Sequence, residues 1–327
     1  MESVEIVACT DHRFIMPVGV MMHSVCRNNC DLKVCFHVII DESVTKDDKA
    51  DLRDIASGMN VSFYNADSKL FSSMPLVPGL SNATYYRLLI PQILPERINK
   101  VLYLDGDIIV RHSVLPLWET DLEGFAIAAV TDADESLIEK YNRQKYSPKY
   151  GHFNAGVMLI NLKYWRANNT RREIESYIEN HSESIRYCDQ DILNYVLRTH
   201  KITLPITYNT QTGFLWVTER ACYDYWKYEE EVIEARKDPV ILHFTHGKPW
   251  VKGTEHPYRG SFVKYQGETK WKGEIWEKPK RLQRPFWTRV LSHTFDAMEK
   301  ILIKMRLIKG QLKQRGNNVI LDLPPID

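Results

Sequence analysis

Residues 101–110 read VLYLDGDIIV, an apolar run that carries two carboxylates, Asp105 and Asp107, one glycine apart. Val, Leu and Ile in succession describe a strand buried on both faces, as parallel strands between helical layers are. An unpaired carboxylate away from water is costly, so something must offset these two. With the residues before it, the run is read as one strand over 99–110, with the aspartates where that strand should end. Residues i and i+2 of a strand point to the same side, so both carboxylates can face one point. Gly106 between them lets a ligand approach the backbone or lets the chain bend. Converging carboxylates repel unless a cation or a proton is shared between them. A hard divalent ion, Mg²⁺ or Mn²⁺, suits such oxygens. The competing use is two loop aspartates that cap whatever follows, and the D-x-D alone does not choose between them.

Working outward, strand-like and helix-like segments alternate. VEIVAC (4–9) reads as a buried strand, and residues 17–26 as a helix with proline in its first turn. KVCFHVII (33–40) is a second strand, followed by a helix within 41–57 whose Leu52, Ile55 and Ala56 mark one face. NVSFYNA (60–66) is a third strand, and SNATYYRLLIPQIL (81–94) a third helical stretch with Ser81 or Asn82 as cap. FAIAAVTD (125–132) and FNAGVMLINLKYW (153–165) are further strands, CDQDILNYVL (188–197) a helix with an acidic start, and VILHFTHGKPW (240–250) a strand running into a polar loop. This alternation predicts an α/β domain with a mostly parallel central sheet, in which ligands bind at the carboxyl ends of the strands.

The 327 residues are 44% apolar and 26% charged, ordinary for a globular protein. The net charge of +1 hides an asymmetry: residues 270–315 hold 13 Lys and Arg against 4 Asp and Glu, while the remainder is net acidic. Such a basic tail points to a nucleic-acid or membrane surface. No signal peptide and no spanning segment are read from the sequence. Cys26, Cys30 and Cys35 lie near His23, but their spacing fits no usual zinc pattern. Packed, reduced thiols in a cytoplasmic protein are the expectation.

Four stretches in order, TYYRLLIPQILPERINKVLYLDGDIIV (84–110), FNAGVMLINLKYW, CDQDILN and HFTHGKPW (243–250), resemble the family 8 glycosyltransferases, retaining enzymes that include lipopolysaccharide galactosyl- and glucosyltransferases and glycogenin. The resemblance covers roughly residues 3–252. It implies a single GT-A-type nucleotide-sugar-binding domain over residues 1–275. It implies that Asp105, Asp107 and His243 hold Mn²⁺, with Mg²⁺ as the alternative, against the diphosphate of UDP-glucose or UDP-galactose; an imidazole ligand favours Mn²⁺. Lys248 matches the family's diphosphate lysine. His246 stands where the family has glycine, with Gly247 next, so His246 is itself a candidate phosphate contact. ACTDHRF (8–14) matches the uridine clasp: Ala8, Cys9 and Thr10 line it, Asp11 meets the uracil edge, and Phe14 stacks on the ring. Here Arg13 and Phe14 replace an amide and a tyrosine. Arg87, Asn154, Ala155, Asp189 and Gln190 match donor-sugar contacts, and Gly106 lies against the donor between the two aspartates. Asp132, or Asp134 in its place, matches an aspartate near donor and acceptor. Asp191 is read as structural.

The resemblance implies a metal-dependent retaining hexosyltransferase acting on a cell-surface glycan or glycolipid such as lipopolysaccharide core. Departure of UDP and attack of the acceptor are expected on one face, with Gln190 near the anomeric carbon and no nucleophilic carboxylate clearly placed. A self-glucosylating primer and a non-catalytic nucleotide-sugar-binding scaffold are the alternatives. Acceptor contacts are expected in residues 74–82 and 212–219. Residues 276–327 form the tail. In it, Trp287, Leu291, Met298, Ile301, Met305 and Ile308 share one face of a predicted helix, with Lys and Arg largely elsewhere. That pattern fits a peripheral helix on the anionic cytoplasmic face of the inner membrane, and the absence of a recognition module argues against nucleic acid.

Overall fold

Strand β1 (Val4–Thr10) is apolar on both faces and lies inside the sheet, where each face meets its own core. Ile6 and Ala8 pack with Val18, Met21 and Met22 of the helix Ile15–Asn28, while Val7 and Cys9 pack with Tyr85, Tyr86 and Ile90. The computed structural model describes residues 3–56, 58–77, 79–133, 138–215 and 228–277. The strands after β1 are β2 (Val34–Ile40), β3 (Asn60–Asn65), β4 (Lys100–Leu104), β5 (Ile108–Val110), β6 (Ile127–Thr131), β7 (Phe153–Asn161), β8 (Lys201–Leu204), β9 (Thr210–Gln211) and β10 (Ile241–His243). Seven form one sheet in the order β3-β2-β1-β4-β7-β6-β8. All its pairings are parallel except those of β7, which runs against both β4 and β6. The start of β7 therefore lies at the same edge as the ends of β1, β4 and β6.

The opening run does not form one strand. β4 ends at Leu104 and pairs in the large sheet, whereas β5 starts at Ile108 and pairs with β10 in a second sheet ordered β5-β10-β9. Leu102 and Leu104 fill one core and Val101 and Tyr103 the other, in the period-2 pattern of a strand covered on both sides. The chain changes sheets across Asp105-Gly106-Asp107. A side chain at Gly106 would run into Val18 at 2.6 Å and Phe14 at 3.0 Å, so the turn lies directly against the first helix.

Two helical expectations are refined. The second helix runs Lys46–Ile55 behind a capping box of Thr45 and Asp48, with Leu52 and Ala56 buried. Residues 81–94 form a 3₁₀ helix, Asn82–Leu89, and one α turn, Ile90–Ile93; Ser81 occupies the cap position without a capping side-chain bond. Tyr85, Tyr86, Arg87 and Leu88 are all buried, so the middle of this segment turns every side inward, while Gln92 near its end is exposed. Among the described residues no helix is long and apolar enough to cross a membrane. Residues 134–137, 216–227 and 278–327 lie outside the described residues. With them lie Asp134, Cys222, half of one acceptor segment and the amphipathic helix.

Candidate functional site

Two ladders carry distant residues to the turn. Asp105 N donates to Gly156 O (2.8 Å), extending the β4–β7 ladder and placing Asn154 and Ala155 beside Asp105. On the other side β10 aligns His243 opposite Ile108, and Phe244 N donates to Asp107 O (2.9 Å). Asp105, Asp107 and His243 thereby offer ligand atoms that all lie within 4.8 Å of one another, the one such cluster found among the described residues.

Each of the three uses one atom outward and leaves one facing inward. Asp105 Oδ1 accepts from Tyr103 (2.7 Å) and from Arg87 (2.8 Å), while Oδ2 stands 3.8 Å from His243 Nε2. Asp107 Oδ2 accepts from Lys248, while Oδ1 lies 3.3 Å from Nε2. His243 Nδ1 is bonded to Asn209 Oδ1 at 2.9 Å. Two carboxylate oxygens and an imidazole nitrogen converging on one point form a donor set that fits a divalent cation. Burial works to raise the Asp107 carboxyl, but the Lys248 ammonium outweighs it and holds it well below the usual carboxylate range.

Arg87 is not the surface ion pair that its helical position alone suggests. Its guanidinium is buried, stacks over Tyr103 with its carbon 4.4 Å from the ring centroid, and donates to Ala155 O (2.7 Å). It bridges Asp105 and Asp189, whose Oδ2 lies 3.0 Å from Nε. One cation faces two carboxylates, so Asp189 is undercompensated: burial pushes its carboxyl up to about 6 against the pull of Arg87 and of the Thr84 hydroxyl. Asp189 is thus tied back into the wall.

Gln190 reaches the end of β6. Its Nε2 donates to Asp132 Oδ2, and Asp132 Oδ1 accepts from Lys140 Nζ (3.2 Å). Asp132 therefore joins the site. Asp191 is structural as expected: fully buried, it accepts from Arg143, Gln144 and the backbone N–H groups of Arg186 and Tyr187.

The segment after β1 is held by local contacts. Ala8 and Cys9 turn their side chains into the two cores, and burial raises the Cys9 thiol. Thr10 Oγ1 donates to Asp11 O (2.9 Å). Asp11 is after all a local cap, accepting from Phe14 N (3.1 Å) at a 3₁₀ turn, with Arg13 on its other oxygen. The cap serves His12–Phe14, a turn that the spacing to Pro17 does not reveal. Phe14 packs edge-on against Trp250 (5.7 Å) and Trp276 (6.2 Å).

Gly247 adopts φ +67°, a left-handed conformation that glycine permits, and turns the chain so that Lys248 Nζ also donates to Phe244 O (2.6 Å). His246 is exposed on this loop. Thr212 and His256 hold the loop from below. Thr212 Oγ1 donates to His246 O (3.1 Å) and accepts from His246 N (3.2 Å), with His256 Nε2 3.3 Å away. The sequence reading missed Asn209, Gly156 and His256, and it placed Thr212 only in an acceptor segment. Gly156 alone carried a signal, an isolated glycine inside a strand pattern: a side chain there would meet His243 at 2.2 Å and Asp105 at 2.7 Å.

The sequence profile of Glycosyl transferase family 8 matches residues 5–254. General stress protein A of Bacillus subtilis (strain 168) is 28% identical over 276 residues, covering 83% of this chain and 95% of its own length. Lipopolysaccharide glucosyltransferase WaaO of Escherichia coli (strain K12) is 26% identical over 278 residues, covering 83% and 79%. The solved structure of the galactosyltransferase LgtC in complex with donor and acceptor sugar analogs is similar with a TM-score of 0.73 at 25% identity, over 83% of this chain and 100% of its own. The profile spans every metal-side and phosphate-side residue from Asp105 to Lys248.

Proposed function

Because the chain belongs to glycosyl transferase family 8, we propose that it is a metal-dependent retaining hexosyltransferase that moves glucose or galactose from a UDP-sugar to a hydroxyl of a cell-surface glycan such as lipopolysaccharide core. The broader class is secure: it is a GT-A-type glycosyltransferase related to lipopolysaccharide glucosyl- and galactosyltransferases. The observation that carries the finer reading is the convergence of Asp105 Oδ2, Asp107 Oδ1 and His243 Nε2 within reach of Lys248. Those three atoms would hold the cation, which when bound supplies positive charge against the diphosphate as the leaving group departs.

The chain's own groups supply the rest. Lys248, 29% exposed, can leave Asp107 and bind phosphate oxygens. Gln190 and Asp132 stand at the carboxyl edge of the sheet, where the sugar and acceptor would meet. Asp189 is tied to Arg87 and Thr84 and Asp132 to Lys140 and Gln190. Neither is posed as a nucleophile, which supports front-face substitution over double displacement. A panel of UDP-sugars, with GDP- and ADP-sugars beside them, assayed for hydrolysis with Mn²⁺ and with EDTA tests this reading. Turnover of UDP-glucose or UDP-galactose that EDTA abolishes is expected; turnover indifferent to EDTA would overturn the metal, and turnover of other nucleotides' sugars alone would overturn the uridine.

The attachment role of residues 276–327, on the cytoplasmic face of the inner membrane, rests on their charge and helical spacing. Removing residues 281–327 should release the protein from membranes and spare UDP-sugar hydrolysis. Unchanged membrane recovery would refute it.

A further inference from the structure

Behind the metal ligands the buried amides form one chain, and two backbone N–H groups fix its direction. Gly156 N donates to Asn154 Oδ1 (3.0 Å), so that atom is the amide oxygen, and Asn209 Nδ2 donates to it as well (2.9 Å). Ala155 N donates to Gln190 Oε1 (3.1 Å), and Asn154 Nδ2 donates to the same oxygen (3.2 Å). With its nitrogen committed to Asn154, Asn209 turns Oδ1 to His243 Nδ1. That ring nitrogen then carries the proton, and Nε2 keeps its lone pair toward Asp105 and Asp107. At the far end the Gln190 amide nitrogen faces Asp132. No member can flip without setting a buried donor against a donor. Asn209 is fully buried and stands in none of the motifs that identify the family resemblance.

We propose that Asn209 is a positioning residue that serves both halves of the site. It holds His243 in the Nδ1–H form that a cation requires, and through Asn154 it holds Gln190 with its NH₂ on Asp132. This rests on the metal-dependent reading above. The Gln190 oxygen already accepts two hydrogen bonds, so Gln190 orients the Asp132 carboxylate through its nitrogen and does not turn its oxygen to the anomeric carbon.

The test uses the full chain and three proteins: wild type, Asn209→Ala and Asn209→Asp. Mn²⁺ affinity is measured by calorimetry and by Mn²⁺ electron paramagnetic resonance without nucleotide, and UDP-sugar hydrolysis separately. Asn209→Ala should weaken Mn²⁺ binding by about 10- to 100-fold, the scale of losing a ligand's orienting partner. Asn209→Asp still accepts from His243 but cannot donate to Asn154. It should keep Mn²⁺ affinity within about threefold and lose about tenfold in kcat, the scale of one buried hydrogen bond. Equal Mn²⁺ affinity in wild type and Asn209→Ala would overturn the His243 half, and unchanged kcat in Asn209→Asp the Gln190 half. A wild type that binds no Mn²⁺ would instead sink the metal-dependent reading and the His243 half with it, leaving the Gln190 half to the kcat result. Should the variants fail to fold, ¹⁵N spectra of the wild-type imidazoles decide: His243 protonated on Nδ1 supports the proposal, and protonated on Nε2 overturns it.

Discussion

Asp105 and Asp107 stand one glycine apart, yet their outer oxygens are held by unlike partners. Asp105 is held by Arg87 and Tyr103, and the Arg87 side chain is 7% exposed. Asp107 is held by Lys248, which is 29% exposed and sits on a glycine-bent loop. The first bank is an ion-pair wall in which each nitrogen of the buried guanidinium makes a hydrogen bond. The second is a partly exposed cation beside backbone carbonyls, open to a competing anion. A buried pair is costly to break, whereas a half-exposed ammonium gives up its partner cheaply. The wall suits holding a sugar in one orientation, and the loop suits capturing and releasing a diphosphate.

Four measurements would break or sharpen that contrast. Arg87→Met strands the buried Asp189 carboxylate and the partly buried Asp105 and should cost about 3–5 kcal/mol in urea unfolding; a loss below about 1 kcal/mol would make the two banks alike. Asp107→Asn keeps the shape and removes a ligand charge. It should lower kcat/KM for UDP-sugar hydrolysis by about 10³-fold, equivalent to several kcal/mol of lost charge stabilisation, with the unfolding midpoint nearly unmoved.

The third concerns pH and the loop's foundation. Burial, with Lys248 adding to it, holds His256 down at about 4, and its Nδ1 accepts from Tyr258 N (3.1 Å). Below pH 6.5 the unfolded chain takes up a proton that the folded one refuses. This contribution is therefore full above pH 6.5 and is lost as pH falls toward 4, by at most about 3 kcal/mol. His256→Gln should flatten the acid limb of the stability curve between those values, and an unchanged limb would count against it. The smallest effect belongs to Lys248→Met: stability within about 1 kcal/mol of wild type and UDP affinity down about tenfold, the scale of one charge-assisted hydrogen bond. A large loss of stability there would erase the distinction between wall and loop.

The alternation of apolar runs was enough to read most strands of the large sheet, because each buries two faces and shows it locally. β8, β9 and the helices Thr170–His181, Glu229–Lys237 and Arg259–Gly267 went unread. β8 and β9 are short, and the three helices are largely polar, with little buried. Asp11 adds a local role that went unread: it caps its own turn through Phe14 N, three residues on.

By itself, then, the sequence determined the α/β class and the pair of aspartates, because residue type and order carry that chemistry, and the family resemblance added the histidine that could join them. Tertiary structure decided that VLYLDGDIIV breaks between two sheets, that Arg87 is a clamp and that Asn209 links His243 to Gln190. The physical reason is that those facts depend on which ladder each half of the run enters and on which buried donors face which acceptors. Such pairings join residues from 18 positions apart, as Arg87 and Asp105 are, to 135, as Ile108 and His243 are, and no local pattern records them.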